Sequence, residues 1–173
     1  MNTLGRSPAR RLHLPQRVLG AVLLAAICTL AQAQGSRADI RFTLAGGDHD
    51  GEYVLTDVPM FLCGFDFSGA GSYGVQYYVD DPSAAPSIIQ LAHEVVMPDV
   101  GYWSAELLIG FGDITTDGVV YMINSKQGIG TVETNIVDDG DSATMTMQGT
   151  TGDGVEVFIE SVCRGVNRFE DPG

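Results

Sequence analysis

Basic residues are scarce in this sequence. Of its 173 residues, 9 are lysine or arginine and 22 are aspartate or glutamate, which gives a formal net charge of −13 at pH 7. Nucleic-acid binding depends on cationic side chains that neutralise phosphates, and a strongly negative chain repels nucleic acid and anionic membrane surfaces alike. The charge therefore excludes a nucleic-acid partner and favours either solubility alone or a cationic partner.

Cysteine and histidine are equally few, with three of each in the whole chain. Zinc sites use three or four closely spaced Cys, His or carboxylate ligands, so the sequence argues against a transition-metal site. A serine hydrolase would have to use Ser72, in the glycine-rich stretch 69–74, together with His93. A nucleophile elbow and a dinucleotide-binding loop both require a helix after such a stretch, whereas residues 75–79 read as a strand.

Long apolar runs are absent except for one near the N-terminus, at residues 18–30. Four arginines precede this run, and Ala31-Gln32-Ala33 after it has the small-x-small pattern of a signal-peptidase site. The run is too short to span a bilayer comfortably. We therefore expect residues 1–33 to be a cleaved signal peptide, the protein to be periplasmic or extracellular, and no membrane span to remain after cleavage.

Cleavage at that site would change both the charge and the cysteine count. Five basic residues would remain against 22 acidic ones, so the net charge becomes −17. Cys28 would leave with the signal peptide, and Cys63 and Cys163 would remain as the minimum for one bridge. The rest, 34–173, has the length of one ordinary domain.

Residues 155–164 carry the clearest strand pattern. Apolar residues alternate with glutamates there, which is typical of a half-buried strand, and Cys163 lies on the apolar face. An oxidising compartment favours pairing Cys163 with Cys63. A closed loop of about 100 residues contributes roughly 4–5 kcal/mol in the chain-entropy model. The sequence thus predicts a Cys63–Cys163 disulfide that closes most of the domain.

The rest of the chain reads as short strands separated by turns. Residues 132–136 and 143–147 alternate, and the Asp- and Gly-rich stretch between them is typical of a hairpin turn. Residues 87–96 fit a helix or a strand, and their length and the following proline favour a strand. About nine or ten such strands predict an all-β fold, either an antiparallel β-sandwich or, alternatively, a β-barrel. The polar tail 164–173 is expected to fray.

Calcium has the best chemical support of any ligand. Carboxylates cluster in two turns and offer the hard oxygen ligands that Ca²⁺ prefers. The candidate metal ligands are Asp48, Asp50, Asp138, Asp139 and Asp141. The full EF-hand spacing is absent, and hairpin turns select Asp and Gly for conformational reasons as well.

No catalytic constellation stands out, and the aromatic residues Tyr77, Tyr78, Tyr102 and Trp103 suit either a binding face or a core. We therefore expect an exported, acidic, non-enzymatic β-sandwich domain with a binding or structural role at the cell envelope or outside the cell. Its partner would be a protein or a small ligand. The alternatives are a calcium-dependent binding module and a small secreted serine hydrolase.

Overall fold

The computed structural model describes residues 35–66, 71–81, 83–97 and 102–169, so the expected signal peptide lies outside the described residues. Within these ranges the chain forms eleven strands and one short 3-10 helix, Ser125–Gln127, and no α-helix. The strands are β1 (Arg37–Ala45), β2 (Gly51–Pro59), β3 (Leu62–Phe65), β4 (Tyr73–Tyr78), β5 (Ile88–Met97), β6 (Tyr102–Phe111), β7 (Val119–Asn124), β8 (Thr131–Asp138), β9 (Ser142–Thr150), β10 (Glu156–Arg164) and β11 (Asn167–Arg168).

The strands form two sheets. The five-stranded sheet has the order β2-β1-β10-β9-β8, and the six-stranded sheet has the order β11-β3-β4-β5-β6-β7. Neighbouring strands are antiparallel except for β11 and β3, which are parallel. Neither sheet closes on itself within the described residues. The predicted all-β antiparallel sandwich is confirmed, and the barrel alternative is not found.

Period-two alternation places one face of each sheet in a shared core. In β1, for example, Ala38, Ile40, Phe42 and Leu44 are buried. The largest fully buried side chains come from both sheets: Tyr73, Tyr121, Phe42, Ile40, Ile89, Leu91, Leu107, Ile109, Ile123, Met145, Met147 and Ile159. Each such side chain contributes about 1.5–3 kcal/mol when it leaves water.

The predicted disulfide between Cys63 and Cys163 is confirmed. Cys63 lies in β3 of the six-stranded sheet and Cys163 lies in β10 of the five-stranded sheet, with 6.2 Å between their Cα atoms. Both residues are fully buried. The bond therefore joins the two layers of the sandwich from within the core.

The hairpin predicted around 138–141 is confirmed as β8 and β9, in which Asp138 lies opposite Ala143. The ambiguous segment 87–96 is a strand, β5. The expectation that the polar tail frays is wrong for Asn167–Arg168, because these residues form β11 beside β3. Arg168 also forms an ion pair with Asp138 at 2.6 Å. No helix among the described residues has the length and apolar character needed to cross a membrane.

Candidate functional site

The inner faces of both sheets are occupied by the core, so a partner can meet only outer faces, edges and loops. The outer face of the five-stranded sheet is polar. One row across it reads Val54, Arg41, Glu160, Thr146 and Asn135, in register on neighbouring strands. Charged and hydroxyl side chains thus separate the few apolar ones on this face.

The outer face of the six-stranded sheet is different, because apolar side chains meet there across four neighbouring strands. Tyr78 lies opposite Ile88, and Leu108 lies opposite Met122. Tyr78 is 56% exposed, Ile114 40% and Val120 38%. We call the set Tyr78, Ile88, Leu108, Ile114, Val120 and Met122 the apolar face.

Gly110 makes the apolar face continuous. It lies between Ile88 and Val120 in the sheet and carries no side chain. A Cβ atom at this position would lie 2.6 Å from Cγ2 of Ile88 and 2.8 Å from Cγ2 of Ile114. The two isoleucine side chains therefore converge over the bare glycine, and the loop that carries Ile114 covers the end of the sheet.

Two acidic loops border the apolar face at this end. Residues 79–87 and 112–118 together contain four aspartates and no lysine or arginine. The Ser87 hydroxyl joins the loops by donating to the carbonyl oxygen of Gly112 at 2.8 Å. Between the loops lies a cleft of about 340 Å³ lined by Asp80, Asp81 and Asp113 beside Tyr78, Ile88 and Ile114. We call this space the acidic cleft.

The carboxylates of the acidic cleft are held by their own turns. Oδ1 of Asp81 accepts hydrogen bonds from the backbone N–H and the hydroxyl of Ser83, at 2.9 and 2.7 Å. Oδ1 of Asp113 accepts from the N–H and hydroxyl of Thr115, at 2.9 and 2.6 Å. These hydrogen bonds lower the pKa of both carboxyl groups, and the bonds from the hydroxyl side chains have the larger effect. Both groups are therefore negatively charged at neutral pH.

In the first predicted calcium turn, side chains already make contacts with nearby protein groups. Oδ1 of Asp50 accepts the backbone N–H of Gly47 at 2.6 Å, which lowers the pKa of Asp50. His49 stacks on Phe111 with ring centroids 4.1 Å apart, so its ring is used in packing. Asp48 is exposed beside it.

The second predicted calcium turn is similar. Oδ1 of Asp138 accepts from Arg168 at 2.6 Å and from the N–H of Gly140 at 3.0 Å, and the arginine is the larger cause of its lowered pKa. Oδ1 of Asp139 accepts from the N–H and hydroxyl of Ser142. Asp141 is exposed. Across the described ranges no three Cys, His, Asp or Glu side chains converge as a metal-ligand set. Calcium binding stays a prediction.

The hydrolase alternative relied on Ser72 and His93. His93 lies in β5, with Nδ1 3.2 Å from the Thr134 hydroxyl oxygen and its ring stacked on Trp103 at 5.3 Å. Burial lowers the pKa of His93. Ser72 is only 2% exposed, which does not suit a nucleophile that must reach a substrate. The hydrolase stays a prediction that this geometry does not favour.

The aromatic residues do not form one binding face. Tyr77 is buried in the core, whereas Tyr78 points outward and belongs to the apolar face. The other residues of the apolar face were not predicted from the sequence, although the sequence contains a pattern that indicates them. The runs 107–109 and 119–123 are apolar at consecutive positions, so they place apolar side chains on both faces of β6 and β7.

No protein-family model, curated protein or solved structure matches this chain.

Proposed function

We propose that this protein is an exported, non-enzymatic binding module that contacts its partner through the apolar face of the six-stranded sheet. The observation that carries the proposal is a continuous, partly exposed apolar surface without a charged side chain, on a chain whose net charge is −13. Contiguous exposed apolar patches rimmed by polar residues mark interaction sites on otherwise polar proteins.

The contrast between the two outer faces supports this assignment. Val54 and Val137 on the five-stranded sheet are each 56% exposed, as much as any residue of the apolar face. They are single apolar side chains among polar neighbours: Val54 lies opposite Arg41, and Val137 lies opposite Thr144. Scattered apolar residues of that kind are ordinary surface. Contiguity, rather than exposure alone, therefore distinguishes the apolar face.

Export rests on the predicted signal peptide and agrees with the Cys63–Cys163 bond, because disulfides persist in oxidising compartments. A binding role needs no catalytic group, and it agrees with the burial of Ser72 and with the packing role of His93. The proposal thus places the function on a rigid sheet surface, where side chains are held in fixed register.

Site-specific photo-crosslinking in the producing cells tests the proposal. A photoreactive amino acid is placed at Val120 or Ile114 on the apolar face, and at Val54 or Val137 as controls of similar exposure. We expect a discrete adduct from the apolar-face positions alone. We also expect Leu108→Ser, a truncation within that face, to abolish the adduct. Equal adducts from both sheets, or none from the apolar face, would refute the proposal.

A further inference from the structure

We infer that the partner of the apolar face is a basic, amphipathic polypeptide segment, which lays apolar side chains on that face and places a Lys or Arg side chain in the acidic cleft. This inference rests on the proposed function, because it identifies what the same face binds. Its basis is the direct contact between the two features: Tyr78, Ile88 and Ile114 belong to the apolar face and also line the acidic cleft.

The acidic cleft has carboxylate oxygens that can still accept hydrogen bonds from a cationic group. Every hydrogen bond that the carboxylates of Asp81 and Asp113 accept from the described residues is made at Oδ1, so none of these residues engages Oδ2. From the described residues, the Asp80 carboxylate accepts only a long contact, 3.4 Å, from the Tyr78 hydroxyl. An ammonium or guanidinium group that enters the cleft can bind one of the carboxylates that line it, beside an aromatic ring that also attracts cations.

The dimensions of the apolar face favour a polypeptide over a small molecule. The face runs from β4, which carries Tyr78, to β7, which carries Met122, and these strands are four neighbours in the sheet. Strands lie about 4.8 Å apart, so the face is roughly 14 Å wide. Small-molecule sites are concave and enclose their ligands. A broad sheet surface instead suits an extended or helical segment with apolar side chains on one side.

A second copy of the chain is a poor partner, because it carries the same net charge of −13 and has one lysine in its whole sequence, Lys126. Each arginine of the described residues is already in an ion pair on or beside the five-stranded sheet. Arg37 and Arg164 share Asp57, Arg41 is near Glu52, and Arg168 binds Asp138. Self-association therefore brings together two molecules of the same negative charge.

Fluorescence anisotropy with three synthetic peptides tests the inference on the purified, oxidised protein. The peptides alternate Leu with Lys, Leu with Glu, or Ser with Lys. We expect the Leu–Lys peptide to bind at least tenfold more tightly than either of the others. The attraction between the charges should also weaken with added salt.

Two sets of variants separate the two parts of the inference. Asp80→Asn/Asp81→Asn/Asp113→Asn removes the charge of the acidic cleft but keeps the oxygen that accepts from Ser83 and Thr115. This triple variant should weaken Leu–Lys binding at least tenfold. The matched control, Glu133→Gln/Glu156→Gln/Glu160→Gln, removes three charges from the outer face of the five-stranded sheet and should change binding less than twofold. Melting temperatures check that both variants fold.

The outcomes distinguish this inference from the proposed function. If Leu–Lys and Leu–Glu bind equally well and Leu108→Ser weakens both, the apolar face binds but the cationic partner is wrong. If Leu108→Ser has no effect and both charge variants weaken binding alike, the attraction is non-specific, and both claims fail. No binding of the Leu–Lys peptide also overturns the inference. Tighter binding to phosphatidylcholine vesicles, or dimerisation that depends on Leu108, would replace the polypeptide by a membrane or a second copy.

Discussion

Breaking the disulfide should lower the free energy of unfolding by about 4–5 kcal/mol. Cys63 and Cys163 are separated by 100 positions in sequence. In the chain-entropy model, a closed loop of that size removes roughly 4.7 kcal/mol of conformational freedom from the unfolded chain at 25 °C. The two residues join facing sheets, so no sequence-local contact duplicates the restraint. Most of the stabilisation by the disulfide should therefore come from its restraint of the unfolded chain.

Urea denaturation of the oxidised protein and of Cys63→Ala/Cys163→Ala measures this loss. In thermal unfolding of a domain of about 140 residues, we expect the melting temperature of the double variant to be lower by roughly 12–20 °C. The m-value should rise, because the released chain exposes more surface on unfolding. A reducing agent should bring the unsubstituted protein to the stability of the double variant and leave that variant unchanged. A loss under about 1 kcal/mol with an unchanged m-value would refute the reasoning.

Three further predictions concern backbone packing between strands, pH and calcium. Gly149→Ala should lower the free energy of unfolding, measured by urea denaturation, by about 3 kcal/mol, because its Cβ would overlap the Thr131 backbone oxygen. Gly35→Ala should be neutral, because the space around that position is open. Equal effects of the two substitutions would contradict this. Burial lowers the pKa of His93 below its ordinary value of 6.5, so the unfolded state binds more protons and stability should fall as pH drops below that value. His93→Gln should flatten that slope in melting curves between pH 7 and pH 5, and an unaltered slope would count against it. Millimolar calcium should leave the melting temperature of EDTA-treated protein unchanged, because no three metal-ligand side chains converge in the described residues. A rise of several degrees, lost in Asp138→Asn/Asp139→Asn, would establish a site.

Features set by local pattern could be predicted from the sequence. The β8–β9 hairpin has alternating arms and a turn in which Gly140 takes a φ of +97°, a conformation that glycine adopts at low cost. The disulfide was predictable because only Cys63 and Cys163 remain outside the expected signal peptide, and Cys163 lies on the apolar side of its strand.

Features set by distant contacts were missed. β11 is two residues long and pairs with β3, and its Arg168 reaches Asp138 and lies over the Phe65 ring at 5.1 Å. No local pattern encodes such a contact. The apolar face was missed for a related reason. Strands that are apolar on both sides read as doubly buried, and the sequence does not say which side remains uncovered in the fold.

Methyl NMR of the oxidised protein, titrated with the alternating Leu–Lys peptide, tests the central claim most directly. The account predicts that methyl resonances of Ile88, Leu108, Ile114 and Val120 shift together along one binding curve. The methyl groups of Val54 and Val137, which are at least as exposed but lie on the other sheet, should not move. Shifts centred on those two valines, or spread evenly over both sheets, would contradict the claim that the apolar face is the binding surface.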